Sequence, residues 1–244
     1  MPKPTATEIK RLAAVIRDQL ERHADAVYRE KIAKLVPTEI EIIGVRVPVI
    51  RTLVKEFRGA QADLSSATVM AFLDRAFVGR CREEVLFAPV LLAARRKTLA
   101  EIDWRQVEGW VDGIEDWEVC DQLSMGIIGE LVGTDLTRVA TLVTWAQSPN
   151  RWRRRAALAS ATSLKQKGRK LAAETLQVCE PVMTDDDKMI QKALGWVLRE
   201  ASKSDAGAVT EFLTAWRGKA SQRVLREGSE KLDAATRTAL LEPA

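Results

Sequence analysis

Trp117 and Asp121 stand four residues apart in DWEVCDQLS, a spacing that puts an indole and a carboxylate on one face of a helix. A second grouping runs Arg151, Trp152, Arg153, Arg154, Arg155 and is followed by Lys165, Lys167, Arg169 and Lys170. Residues 151–180 hold eight lysines and arginines against Glu174 and Glu180. A third lies in DKMIQKALGWVLRE, residues 187–200, where Lys188, Gln191, Lys192 and Arg199 accompany the large flat ring of Trp196. Rings stack on flat groups and cations neutralise phosphates. Two tryptophans, one carboxylate and a dense basic strip on one surface would suit a polyanion with a reactive or strained centre.

Each signal has a plainer explanation when taken singly. Tryptophan at helical spacing more often fills a core, and Trp104, Trp110, Trp145 and Trp216 are assigned to that role. The RWRRR run could be a solvated face, and Asp121 could pair with a nearby arginine. What favours the functional reading is register. Apolar positions follow a 3.6-residue period almost throughout, and only EIEIIGVRVPVI alternates briefly as a strand would.

The periodicity predicts helices at about 5–22, 24–35, 48–57, 65–77, 82–96, 99–112, 117–132, 135–146, 151–165, 169–182, 187–202 and 206–217, with two shorter ones after. Thr5, Thr7, Ser65 and Ser66 are candidate caps, Pro48 fits a first turn, and Pro37 stops the second helix. The helices opening near Arg82, Trp117, Arg151 and Asp187 lie 35, 34 and 36 residues apart, and a polar-start segment opens at Ser221, 34 further on. A fixed helix-pair period of this size predicts an all-α solenoid of stacked HEAT-like repeats, one domain over residues 1–244. In such a stack the same helix of each pair lines a concave face, which gathers the three groupings.

Composition sets limits. The 244 residues carry a net charge of +4 and 46% hydrophobic residues, ordinary for a globular chain with a mild basic excess. No apolar run is long enough to span a bilayer and no secretory leader is evident, so a cytoplasmic protein without membrane contact is expected. Cys81, Cys120 and Cys179 are odd in number and widely spaced, which predicts free thiols. A single histidine, His23, supports no histidine-rich metal site, so no metal or cofactor is expected.

The chain resembles the bacterial DNA alkylation repair glycosylases of the AlkD type, which are built from HEAT-like repeats. The resemblance covers most of the chain after about Ile43. It begins with GVRVPVIRTLVKEF (44–57), continues through DWEVCDQLSMGIIGEL and NRWRRRAAL, and is strongest in IQKALGWVLRE. By that resemblance Trp117 and Asp121 fall in a W-x-x-x-D motif of the catalytic cleft, and Trp196 falls on the tryptophan of G-W-V-L-R-E. Arg155 falls on the arginine of R-A-A, and Arg199 on a phosphate-contacting arginine. Arg154, Lys165 and Lys192 extend the expected DNA-binding set. Relatives often place a tyrosine shortly before the GV turn; here that stretch reads KIAKLVPTEIEIIGV, and the one tyrosine is Tyr28.

The resemblance implies a monofunctional glycosylase. It would hydrolyse the N-glycosidic bond of N3- or N7-alkylated purines such as 3-methyladenine and 7-methylguanine in duplex DNA, opening base-excision repair without flipping the base. A monomer acting at the nucleoid is the corresponding expectation. The alternatives are a catalytically inactive DNA-binding solenoid and a protein scaffold whose basic strip docks an acidic partner.

Overall fold

The computed structural model describes residues 4–36, 39–61, 63–94, 99 and 101–242, with the backbone alone at 165–167. Its regular elements are helical; among the described residues the strand-like stretch forms only an isolated parallel bridge between Glu41 and Cys81. The chain divides into two compact units, Met1–Ile127 and Ile128–Ala244.

The first unit holds α1 (Ala6–Glu21), α2 (Ala26–Leu35), α3 (Val47–Ala60), α4 (Ser66–Gly79), α5 (Arg82–Ala93), α6 (Trp104–Asp112) and α7 (Trp117–Leu123). The start signals are side-chain oxygens that accept otherwise unpaired amide hydrogens. Thr5 closes a capping box with Glu8, Ser65 accepts from Thr68 N, and Pro48 sits in the first turn of α3. Helix α3 packs on α5, and α5 on α7, while α1 and α4 flank α5. Asp74 of α4 accepts from Gln106 Nε2 at 2.8 Å and Trp110 Nε1 at 2.7 Å, which ties α6 to α4. Helix α5 is buried nearly all round, charged first turn included. An element enclosed on all sides must satisfy its charges internally, and that requirement shapes the site below.

The second unit holds α8 (Gly129–Thr134), α9 (Val139–Ala146), α10 (Arg151–Ala161), α11 (Ala172–Cys179), α12 (Lys188–Ser202), α13 (Ala206–Trp216), α14 (Gln222–Gly228) and α15 (Ala234–Leu241). Helix α10 packs on α12 and α12 on α14, while α9 packs on α11 and α11 on α13. The unit is thus two helical layers, each made of alternate helices. Glycine lets α12 and α14 approach closely: a Cβ at Gly195 would lie 2.6 Å from Glu227 Cβ.

Several expectations need correcting. The helix expected over 117–132 is present and runs on to Thr134, but it carries a π-turn, Ser124–Ile128, between α7 and α8. The helix expected to reach Lys165 stops at Ala161 and tightens into a 3-10 turn, Thr162–Gly168. The one expected from Leu99 begins at Trp104, where Asp103 caps it. The end expected at Arg96 lies outside the described residues, and α5 closes at Ala93. Trp110 and Trp145 are core, but Trp104 and Trp216 are only partly buried.

Candidate functional site

Helix α7 is seven residues long, and its N-cap Asp116 accepts from Glu118 N at 2.6 Å. Val119, Cys120 and Leu123 are buried, whereas Trp117 and Asp121 stay partly exposed. One turn of helix separates the last two, so α7 presents an indole and a carboxylate together from an anchored base.

Under this presentation lies Arg82, the first residue of α5, whose side chain is fully buried. Its Nε donates to Asp116 and its Nη2 to Glu118, and its Nη1 lies 3.8 Å from Glu83. Burial alone would lower the guanidinium pKa, but the Asp116, Glu118 and Glu83 charges outweigh it and raise it. Glu83 in turn accepts from the backbone of the Gly44 turn: Ile43 N and Gly44 N at 2.9 Å and Val45 N at 3.2 Å. A single buried charge network therefore joins the GV turn to the start of α7.

Tyr28 belongs to the same neighbourhood, which its distance along the chain from the GV turn did not suggest. The Arg46 guanidinium sits 4.8 Å from its ring centroid, and Arg46 also bonds Asp25, the N-cap of α2, at 3.1 Å. Burial and then the Glu118 charge push the phenol pKa up, while the Arg82 charge pulls it down. Gln122, beside Asp121, accepts from Arg51 Nη2 at 3.2 Å. Arg82, Asp116 and Tyr28 were missed at the sequence level. The 34-residue step from Arg82 to Asp116 was the available signal, since Arg151 meets Asp187 at a 36-residue step.

In the second unit the basic run is largely engaged with the protein itself. Arg151 holds Asp187 at 2.6 Å, and Arg154 holds Asp185 at 2.8 Å while donating to Ser148 O and Pro149 O. Arg153 lies 5.8 Å from the Trp145 ring centroid, and Arg155 is buried. Burial would raise the pKa of Asp187, but hydrogen bonds from Arg151 and Met189 N and the charges of Arg151 and Arg154 bring it below the usual carboxylate range.

Helix α12 carries Lys192, Trp196 and Arg199 four and three residues apart, on one face. Lys192 is exposed, Trp196 is partly exposed, and Arg199 pairs with Glu230 at 2.9 Å. The Lys165 side chain lies outside the described residues. Trp117 and Asp121 thus share α7 in the first unit, whereas Arg154, Arg155, Lys192, Trp196 and Arg199 belong to the second.

A cavity of about 690 Å³ lies elsewhere in the first unit, lined by Leu12, Val15, Phe57 and Leu64 among others, and touches none of these residues. The three cysteines are buried free thiols, and burial holds the Cys81 thiol up to about 12. Among the described residues no helix is long and apolar enough to cross a membrane, and no three histidine, cysteine or acidic side chains form a metal-holding group.

A structure described as a predicted DNA alkylation repair enzyme from Enterococcus faecalis shares this fold. The TM-score is 0.70 at 21% identity, over 87% of this chain and 98% of that one. No curated protein matches the sequence. A family model described as DNA alkylation repair enzyme matches residues 16–232, nearly the whole of both units. The chain belongs to the DNA alkylation repair enzyme family.

Proposed function

We infer that the protein is a monofunctional alkylpurine DNA glycosylase of the AlkD type. It acts as a monomer in the cytoplasm, at the nucleoid, on a HEAT-like stack of helices that works as one domain. The observation that carries this reading is the placement of the partly exposed Trp117 and Asp121 one turn apart on α7 in a chain of this family.

Alkylation at N3 or N7 makes a purine cationic, so it leaves as a neutral base without a general acid. The transition state then places positive charge on the deoxyribose, as in other glycosidic cleavages. Asp121, ionised, stabilises that charge and orients the attacking water. The Trp117 ring packs on the sugar and backbone of the lesion nucleotide, where its face attracts the developing cation. Trp196 of the second unit is assigned the same kind of contact. Arg154, Arg155, Lys165, Lys192 and Arg199 are the proposed phosphate contacts, setting register without reading sequence. Lys192 is the most available of them: it is exposed and has no ion pair among the described residues, whereas Arg154 and Arg199 would be divided between their carboxylate partners and the DNA phosphates. No lysine is assigned to attack the sugar, so base release without strand cleavage is expected. Acting from the backbone side would leave the base in the stack.

The test is release of free 7-methylguanine or 3-methyladenine from methylated duplex DNA, wild type beside Asp121→Asn. We expect release by wild type and a loss of about 10²–10³-fold in the variant, the scale for removing one transition-state electrostatic partner, with DNA affinity retained. Equal rates remove Asp121 from the chemistry. No release by either protein, with salt-sensitive duplex binding intact, supports the inactive DNA-binding alternative; no such binding at all supports a protein scaffold.

A further inference from the structure

We propose that Arg82 is a positioning residue for the α7 site: by gripping Asp116 and Glu118, the residues on either side of Trp117, it sets the direction in which the Trp117 indole and the Asp121 carboxylate are presented. The proposal rests on the glycosylase reading for its consequence in rate, and on geometry alone for the orientation itself.

The helical run continues past α7 through the π-turn into α8, so its length supports it and what remains to be fixed is its first turn, where fraying is easiest. Side chains that hold that turn from outside therefore bear on how Trp117 and Asp121 are directed. The guanidinium is a rigid planar fork with donors in fixed directions. Here Nε takes the N-cap carboxylate and Nη2 takes the Glu118 carboxylate. Two points fixed on opposite sides of Trp117 define both the position and the rotation of the first turn. The fork cannot wander, because Arg82 is fully buried and its Nη1 faces Glu83, which is itself held by three backbone amides.

The molecule contains its own comparison. Arg151 at the start of α10 meets Asp187, the N-cap of α12, much as Arg82 meets Asp116. That pair has a half-exposed arginine, and the residue two after the cap is Met189, which offers no carboxylate. Arg154 reaches the same cap at 3.9 Å while pairing with Asp185, so two separate arginines serve there in place of two arms of one buried fork. The second arm, to Glu118, is found where the helix carries Trp117 and Asp121.

Glu118→Gln removes the charge of the second arm and leaves the Arg82–Asp116 pair, and Arg82→Lys keeps the charge but loses the fork. Asp205→Ala, which deletes the N-cap of α13, serves as a comparison with a similar thermal penalty away from the site. Two readouts separate the claims. With 5-fluorotryptophan incorporated, the seven tryptophans give ¹⁹F resonances, and Trp117→Phe identifies the one to follow. We expect the Trp117 resonance to shift or broaden in Glu118→Gln and Arg82→Lys and to hold in Asp205→Ala. Single-turnover base release should fall by about tenfold or more in the two clamp variants, the scale of a small misplacement of reacting groups, with duplex affinity within about twofold of wild type.

An unchanged Trp117 resonance in Glu118→Gln overturns the proposal whatever the rates. So does a rate loss no greater than that of Asp205→Ala at equal Tm. A shifted resonance in a protein whose wild type releases no base keeps the clamp as an orienting device and sinks the glycosylase reading instead.

Discussion

Replacing Gly44 with alanine should cost far more than its single methyl group suggests. The residue has φ +98°, in a region that side-chain-bearing residues rarely adopt. A new Cβ would lie 2.6 Å from Arg29 Cβ and 2.8 Å from Asp25 O. Neither neighbour is the loose end of a side chain: one is the root of an α2 residue, the other the backbone of the α2 N-cap. The backbone strain is about 1–3 kcal/mol, and overpacking against atoms that cannot step aside adds about 1–3 kcal/mol. Any shift of the turn also disturbs the three amides that Glu83 accepts. Together we expect a loss of about 2–6 kcal/mol, or roughly 4–24 °C in Tm for a chain of this size. The assay is thermal and urea unfolding followed by circular dichroism, with Gly109→Ala in parallel. Gly109 is a helical glycine whose added Cβ would meet nothing within 4 Å, so that change should stabilise by about 0.5–1 kcal/mol. If Gly44→Ala melts within about 0.5 kcal/mol of wild type, the turn is not held by its positive φ and its contacts with α2.

Two further outcomes follow from the half-buried Asp187 and the buried Glu84. Asp187 has its pKa lowered in the folded protein, so its contribution is present above the unfolded value and is lost as pH falls through the folded one. Asp187→Asn, which keeps a capping oxygen, should lose about 0.5–1 kcal/mol at neutral pH; wild type and variant should converge as the medium is made strongly acidic, and a difference that persists there counts against the Arg151 pair. Glu84 has the opposite sign: burial raises its pKa above the usual 4.5 despite Arg75 and Arg17. Its ionised form therefore disfavours the fold once pH rises past that usual value, and Glu84→Gln should melt higher than wild type at neutral pH. The advantage should close at mildly acidic pH; a variant that melts lower at pH 7 would show the two arginine contacts to be worth more than the burial costs.

Much of this protein could be read from local chemistry. Helix starts at Thr5, Ser65, Asp187 and Ser221 were visible because a short polar side chain before an apolar period has one good use, capping exposed amides. The helix starts at Arg82, Trp117 and Arg151 and the cap at Asp187 were visible because an apolar 3.6-residue period opens at each of them. The i, i+4 spacing of Trp117 and Asp121 placed them on one face whatever surrounds the helix. What the chain could not reveal was which charges are buried and which remain available. Arg82 and Glu83 look like any polar first turn, yet they lie inside, because partners at Asp116, Glu118 and the Gly44 turn meet them there. The RWRRR run reads as a free basic strip, but Asp185, Asp187 and the Trp145 ring claim most of it. Capping, period and helical face depend on residues within a turn or two of one another, and those the sequence determined by itself. The state of a charge depends on what is brought against it from more than thirty residues away, and only the tertiary structure could decide that.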